Sequence, residues 1–594
     1  MRHKLLPLLA LLLYCGLALH QLKLPGFYYD EALDLPPTLQ LIHNQPVELM
    51  PHDPGVNLFG HTLPLMILDY LGAVNTYLLL PVFALIGASG VTVRLFEVAI
   101  GVVIVALSHR LARDWFGSAI AHVTALLLAV NPSFIFWSRM GISVTSVMAV
   151  CSLGSLLTLT RWKRRGGLHW LGIAGGLLGI GLWAKFLFLW WLIALAAVYL
   201  LLELPRNPVS RSIFASLREP SRNLVSASMI RNQGSRPIFA SLRESSRTLV
   251  SFGIAFLIGA GPLIYFNLRT GKTIENISNA LQSPTEHGIN NLRVLDNFRT
   301  ALDQFRIFLD GSYFWYNGEI QSNPWAVRIF VTSLIVVGLL VWRWPHAEQR
   351  RTLAVLSLMT AIIAQSAFTV SGIWATHDFI LVPFPQLIVA LAAFGLWNLS
   401  KIINHQDTQA QRKSNEPLVT SRLRGSFGGV VKWSARLFGA VLVLSLFAGD
   451  LSTTGRYYAS LVKFGGYGRF SDAVYALADT LDAQQITSPA ALDWGLQKNI
   501  FVLTNGRVQP IEIFGYSPEP DEGFPERVAA MLCDGCVFIS VDPRYAVYSR
   551  DDAFRQIATK SGYEVILDER DIFREHSGQP AYLLYRVQQV NTSP

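Results

Sequence analysis

The sequence predicts a polytopic α-helical membrane protein with about eleven transmembrane helices, followed by a C-terminal exoplasmic α/β domain. Three observations predict it. Of 594 residues, 51% are apolar and 15% charged, against about 25% charged in soluble domains, and the mean hydropathy is +0.36. Apolar segments recur at close to the roughly 20 residues that span hydrocarbon. After residue 452 the apolar runs give way to short alternating strands and amphipathic helices.

The spans are read at 5–24, 91–108, 118–136, 141–160, 168–184, 186–203, 250–268, 327–343, 352–371, 379–400 and 434–452. Arg2 and Lys4 precede the first apolar run as they would in a signal peptide, but no small-x-small cleavage site precedes Pro25, so the segment is read as a retained first helix. Basic residues set the orientation. They fill alternate loops: Arg110 and Arg113; Arg161, Lys163, Arg164 and Arg165; eight arginines in the 204–249 loop; Arg343, Arg350 and Arg351; and a cluster from Lys401 to Lys432. The first outer loop, 25–90, has none. This places the N-terminus in the cytoplasm and the last domain outside, with a bacterial plasma membrane as the expected setting. The net charge of +9 is therefore a topology signal; scattered over loops without interleaved aromatics, it excludes a nucleic-acid partner.

Two domains follow from this reading: a transmembrane domain over 1–452 and the exoplasmic domain over 453–594. In the latter, "ITSPAALDW", "CVFISVDP", "YEVILDE" and "AYLLYRV" read as strands, and "SDAVYALADTLDA" and "PERVAAML" as helices. The basic cytoplasmic loop contains a duplication, 212–226 recurring at 237–251. Two copies are too few for a solenoid; a duplicated loop without function accounts for them, as does a membrane-surface segment with Ile213, Phe214 and Leu217 on lipid and Arg218 and Arg222 at anionic headgroups. Cys15 and Cys151 fall in apolar spans as fillers. Cys533 and Cys536 form a CxxC on the oxidising side and are expected to make a local disulfide.

The first outer loop opens with "GFYYDEALDLPP", which carries Asp30, Glu31 and Asp34 and no base. Asp30 suits a helix N-cap for "EALDL", and Glu31 and Asp34 suit a solvated helix face. Bases also stand at outer boundaries, against the positive-inside bias: Arg139, Lys185, Arg269 and Lys272, with His377 at the outer end of the tenth span. Snorkelling to lipid phosphate explains such residues; so does a site that holds an anionic group at the membrane surface. Arg94 is expected to pair with Glu97 one turn later. A sugar on a polyprenyl phosphate reacts at its anomeric carbon with phosphate as leaving group, so no general acid is needed. One carboxylate to take the acceptor hydroxyl's proton and cations for the departing phosphate suffice.

The motifs resemble those of the GT-C integral-membrane glycosyltransferases, in the branch of protein O-mannosyltransferases and aminoarabinose transferases. The resemblance rests on "YYDEA" after the first span, 70–101, 111–141, "GLLGIGLWAKF", "GPLIYFNLRTGK" and 377–397, in order over residues 1–400. It implies Asp30 as the catalytic base with Glu31 beside it, and donor-phosphate contacts from Arg139, Lys185, Arg269 and His377. It implies a polyprenyl-phosphate sugar as donor and an acceptor hydroxyl on protein, lipid or polysaccharide. The family's second acid is not matched clearly. Glu48, His52, Asp53 and His61 in "VELMPHDPGVNLFGH" are candidates for acceptor or metal contact, although "PHDPG" also reads as a turn. Tyr29, with the other aromatics of "FYYDEA", and the aromatics of "YFWYNGE" are candidates to stack on the sugar or to anchor at the interface. Some relatives use a divalent metal, so one is possible here, but the sequence contains no convincing ligand set. The function expected is an inverting, polyprenyl-phosphate-dependent hexosyltransferase at the outer membrane surface. The alternative is a transporter, flippase or non-catalytic binder of lipid-linked sugars; transporters place ionisable groups near the midplane, whereas these lie at span ends.

Overall fold

The computed structural model of the chain describes residues 2–58, 60–202, 238–285, 287–411 and 420–590. Each predicted span falls on helix: Arg2–Leu19, Gly90–Phe116, the pair Ser118–Val130 and Pro132–Met140, Thr145–Arg165, Leu168–Ala184, Leu189–Leu202, Ile238–Thr270, Ala326–Leu340, His346–Gln365, Phe384–Gln411 and Thr420–Phe464. Among the described residues four helices are long and apolar enough to cross a membrane alone, or up to six if each of two bent pairs counts as one. The chain is an integral membrane protein. The first copy of the duplication lies outside the described residues, and the second runs into the helix Ile238–Thr270.

The bends have local causes. At the 66° bend between Ser118–Val130 and Pro132–Met140, Asn131 Oδ1 accepts from Phe134 N–H at 3.0 Å and Pro132 takes the first helical position, where its missing donor costs nothing. Asn131 Nδ2 then donates to Asp450 Oδ2 at 3.1 Å, and Asn323 Nδ2 donates to Asp450 Oδ1 at 2.7 Å. The carboxylate thus ties the bend to the last membrane helix.

The first outer loop is a built layer rather than an open connection. It holds the short helices Tyr29–Ala32 and Pro36–Ile42, the hairpin Val56–Leu58 with His61–Leu63, the strand pair Met66–Leu68 with Leu71–Gly72, and the apolar helix Val74–Ile86. That last helix was absent from the predicted spans because its 13 residues fall short of a bilayer crossing.

The helix Thr420–Phe464 runs past the predicted boundary at 452. It stops at Gly465 and Gly466, whose φ values of +70° and +101° favour glycine and turn the chain out of the helix. Beyond them the domain forms a six-stranded sheet in the order Ile511–Glu512, Ala490–Ala491, Val537–Val541, Pro580–Gln589, Tyr563–Ile566, with Ile572–Arg574 also paired to Pro580–Gln589. The first three strands are parallel and the rest antiparallel. Val537–Val541 is buried throughout because it feeds two cores: Val537, Ile539 and Val541 face one and Phe538 the other, as the two-residue strand period requires. Cys533 and Cys536 form the expected disulfide.

This domain sits on the first loop. Gly26 N–H donates to Phe470 C=O at 2.7 Å, and a Cβ on Gly26 would lie 2.1 Å from the Ser471 carbonyl oxygen. Phe470 stacks with Tyr28 (3.8 Å between centroids) and with Tyr316 (4.1 Å). Tyr28 and Tyr316 are therefore buried core, and the sugar-stacking and interfacial roles weighed for their motifs do not apply to them.

Candidate active site

Two buried arginines shape the loop that carries the acids. Arg139 Nη1 donates to the carbonyl of His20 and the hydroxyl of Tyr458, both at 3.1 Å, and Nη2 donates to Gln21 C=O (2.7 Å) and Leu24 C=O (3.0 Å). Arg94 Nη1 donates to Leu22 C=O (2.9 Å) and Pro25 C=O (2.8 Å), and Nη2 to Gly26 C=O (3.1 Å). These backbone groups belong to no helix or strand, and arginine's fork of donors satisfies several at once. Arg139 therefore holds the chain where a phosphate contact was expected.

Arg94 also corrects its own pairing. Its Nε and Nη2 bind Glu31 Oε2 and Oε1, each at 2.7 Å, and both side chains are fully buried. Glu97 is not the partner. Glu31 Oε1 further accepts from Tyr28 N–H at 3.1 Å. Tyr28 is the N-cap of Tyr29–Ala32, and Asp30 lies inside the helix rather than capping it. Glu31 and Asp34 are buried, so neither belongs to a solvated face. Burial pushes Asp34 up to about 7.

Asp30 alone of the three is left partly exposed. Among the described residues no hydrogen bond reaches its carboxylate. Burial of the group pushes its pKa up to about 6, against the pull of Arg469, Lys185 and Lys498 and with a further push from Glu31. Lys185 closes the helix Leu168–Ala184; its position is fixed by a bridge to Leu71 and by Phe186 N–H donating to Tyr70 C=O at 2.9 Å. Burial lowers Lys185 to about 8, and Asp30 partly offsets this.

Two cavities adjoin these residues: Lys185 lines one, and Tyr29, next to Asp30 in the chain, lines the other, while Asp30 itself lines neither. One, of about 290 Å³, is largely apolar and is lined by Lys185, Tyr70, Trp190, Ile193 and Phe368 among others. The other, of about 930 Å³, lies between the first loop and the C-terminal domain, with Tyr29 and Lys498 in its wall. Asp30 follows Tyr29 in the chain and stands in the field of Lys185 from the first cavity and Lys498 from the second.

The remaining predicted residues divide. His377 is buried, 5.9 Å from Trp190 between ring centroids. Glu48 and His52 line the larger cavity, where His52 Nδ1 lies 3.2 Å from Asp69 Oδ1. Asp53 accepts from the backbone N–H groups of Gly55, Leu65 and Met66, which makes it the turn residue that "PHDPG" suggested. His61 sits on a hairpin strand, and Arg269 is exposed at the end of a membrane helix; neither lines either of these two cavities. Among the described residues no group of three His, Cys, Asp or Glu side chains could hold a metal. Sequence reasoning missed Arg469 and Lys498. Arg469 stands over Trp494 (5.5 Å) and Lys498 over Tyr29 (5.7 Å); a lysine within the apolar "LQKNIFVL" was the available signal.

Residues 73–217 match the family model of the dolichyl-phosphate-mannose-protein mannosyltransferases. The crystal structure of ArnT from Cupriavidus metallidurans bound to undecaprenyl phosphate is similar over 98% of this chain and 97% of that one, with a TM-score of 0.51 and 12% identity. The fold is that of the GT-C glycosyltransferases. The stretch matched by the family model contains Arg94, Arg139 and Lys185, so the GT-C match takes in the clamps and the cation beside Asp30. The oligosaccharyltransferase of Archaeoglobus fulgidus, another GT-C enzyme, gives a TM-score of 0.49 at 14% identity, over 90% of this chain and 68% of that one. No curated protein matches in sequence.

Proposed function

We propose that the protein is an inverting glycosyltransferase that moves a sugar from a polyprenyl-phosphate donor to an acceptor hydroxyl at the outer membrane surface. The observation that carries this reading is Asp30: a partly exposed carboxylate, pushed up to about 6 by burial, in the field of Lys185, which lines the apolar cavity, and of Lys498, which lines the larger one. A base works best when its pKa lies close to the operating pH, and Asp30 is mostly ionised at neutral pH. The binding of undecaprenyl phosphate by ArnT supports a polyprenyl phosphate as the donor's lipid.

Asp30 takes the proton of the acceptor hydroxyl as its oxygen attacks the anomeric carbon. The bond from that carbon to the phosphate oxygen breaks, and its electron pair leaves on the phosphate. Lys185 stabilises the added charge in a desolvated setting, where a fixed cation acts strongly. Phosphate leaves without a proton, so no second acid is required, and Glu31 serves to position Asp30 through Arg94. His377 and Trp190 border the donor side.

The stereochemistry of the product tests this reading. Wild-type protein in lipid nanodiscs, given a panel of polyprenyl-phosphate sugars of known anomeric configuration and a membrane extract as acceptor, should yield a product of the opposite configuration. Retention would rule out direct displacement and call for a covalent intermediate.

A further inference from the structure

We propose that the larger cavity is a saccharide subsite, which takes the acceptor as a neutral glycan and offers one of its hydroxyls to Asp30. The assignment of the hydroxyl rests on the glycosyltransferase reading; the subsite itself rests on the cavity's chemistry. At about 930 Å³ the cavity lies at the upper end of the range of roughly 300–1,000 Å³ for small-molecule sites.

Its walls combine aromatic faces with hydrogen-bond acceptors. Tyr29, Tyr516 and Tyr548 supply rings, and Glu48, Asp69 and Glu512 supply carboxylates. Sugars present apolar C–H faces and a rim of hydroxyl donors, and this lining meets both. Glu512 bears on it most directly. Its Oε2 accepts from the Tyr516 hydroxyl at 2.7 Å, while its Oε1 is buried with no partner. Through Oε2 the carboxylate holds the Tyr516 ring on the cavity wall. Burial also raises the pKa of Glu512, with Tyr516 and Lys498 opposing.

Charge narrows the ligand. Three carboxylates face one lysine, and Lys498 is already engaged: its Nζ donates to Leu33 C=O at 3.2 Å and lies over Tyr29. Phosphorylated or uronic-acid acceptors would meet repulsion here. The sheet edge beside the cavity, Ile511–Glu512, is two residues long, too short to hold an extended peptide by backbone pairing.

Saturation-transfer NMR on the full-length protein in nanodiscs tests the subsite without any transfer reaction. The probes are mannotriose, a galacturonic acid trimer and a serine- and threonine-rich peptide. Mannotriose should bind and the acidic trimer should not. Tyr548→Ala, which removes a ring, and Glu512→Ala, which releases the Tyr516 ring, should each weaken mannotriose about tenfold, the scale of a lost ring contact. Preference for the peptide or the acidic trimer, or mannotriose binding unchanged in both variants, would overturn the subsite. Undecaprenyl phosphate binding, followed in parallel, separates the two ideas. Its absence with mannotriose still bound would remove the donor reading alone, whereas its presence without mannotriose binding would remove the subsite alone.

Discussion

Arg94 and Glu31 form a two-point ion pair, with 2.7 Å at each contact and neither side chain reached by solvent. The pair joins the second membrane helix to the loop 63 residues upstream. It also removes Glu31 from the reaction space and leaves its neighbour Asp30 open. A buried pair of this kind positions the acid rather than adding stability, since its Coulomb energy is offset by desolvation.

Removing one partner strands the other charge, so Arg94→Ala and Glu31→Ala should each cost about 3–5 kcal/mol. Thermal unfolding in nanodiscs measures this. Arg94→Met combined with Glu31→Leu should recover only the part due to the stranded charge, because the carbonyls of Leu22, Pro25 and Gly26 still lose their donor, and should not recover activity, because Asp30 loses its anchor. Losses below about 1 kcal/mol, the range of an exposed pair, would contradict the geometry.

The pH dependence follows from Asp30 at about 6 and Lys185 at about 8. The base must be ionised and the cation protonated. The transfer rate of the free enzyme, as kcat/KM, should rise as pH increases through about 6 and fall through about 8. In Lys185→Arg the alkaline limb should move up or disappear. A profile flat from pH 5 to 9 would exclude this pair of roles.

Asp30 also carries a stability signature. Its folded pKa lies above the ordinary value of 3.8, so its ionised form destabilises the fold; the penalty is absent below 3.8 and complete above about 6. Asp30→Asn should therefore be more stable than wild type at neutral pH, with the difference in Tm shrinking as pH falls through that window. A variant of equal or lower Tm at pH 7.5 would show that the carboxylate is not held in a desolvated site.

The bases at the outer boundaries should separate by function. Lys185→Met should reduce transfer by about 10²–10³-fold, as loss of one charge-stabilising group does, and weaken binding of undecaprenyl phosphate. Arg139→Met should lower the Tm, because four acceptors lose their donor. Arg269→Ala, exposed and outside both cavities, should leave transfer unchanged. Transfer rates, thermal melts and donor titrations of the three variants check these.

The membrane helices were legible in the sequence because hydropathy is a local signal; Asp30 was singled out by the family resemblance of "YYDEA", while residue type and position alone read it as a helix cap. Three things were not legible. Arg94 reads as a partner of Glu97 by helical spacing, yet the loop returns to it from residue 31, a contact that no local period encodes. Arg139 reads as a phosphate contact because an outer arginine breaks the topology bias; the carbonyls of His20, Gln21 and Leu24 that it serves carry no sequence signature. Arg469 and Lys498 lie more than 400 residues beyond Asp30 and reach its field only because the last domain docks on the first loop.

That docking has its own test. Any side chain at Gly26 meets the Ser471 carbonyl, so Gly26→Val should loosen the C-terminal domain from the loop. Limited proteolysis between residues 465 and 472 should then accelerate relative to wild type. Unchanged protection would mean the contact at Gly26 does not hold the domain.

The most direct measurement is sugar transfer by wild type and Asp30→Asn in nanodiscs, with donor binding followed in the same samples. The account predicts that transfer collapses in the variant while the polyprenyl-phosphate sugar still binds. Equal transfer by both proteins would contradict it and remove Asp30 from the chemistry.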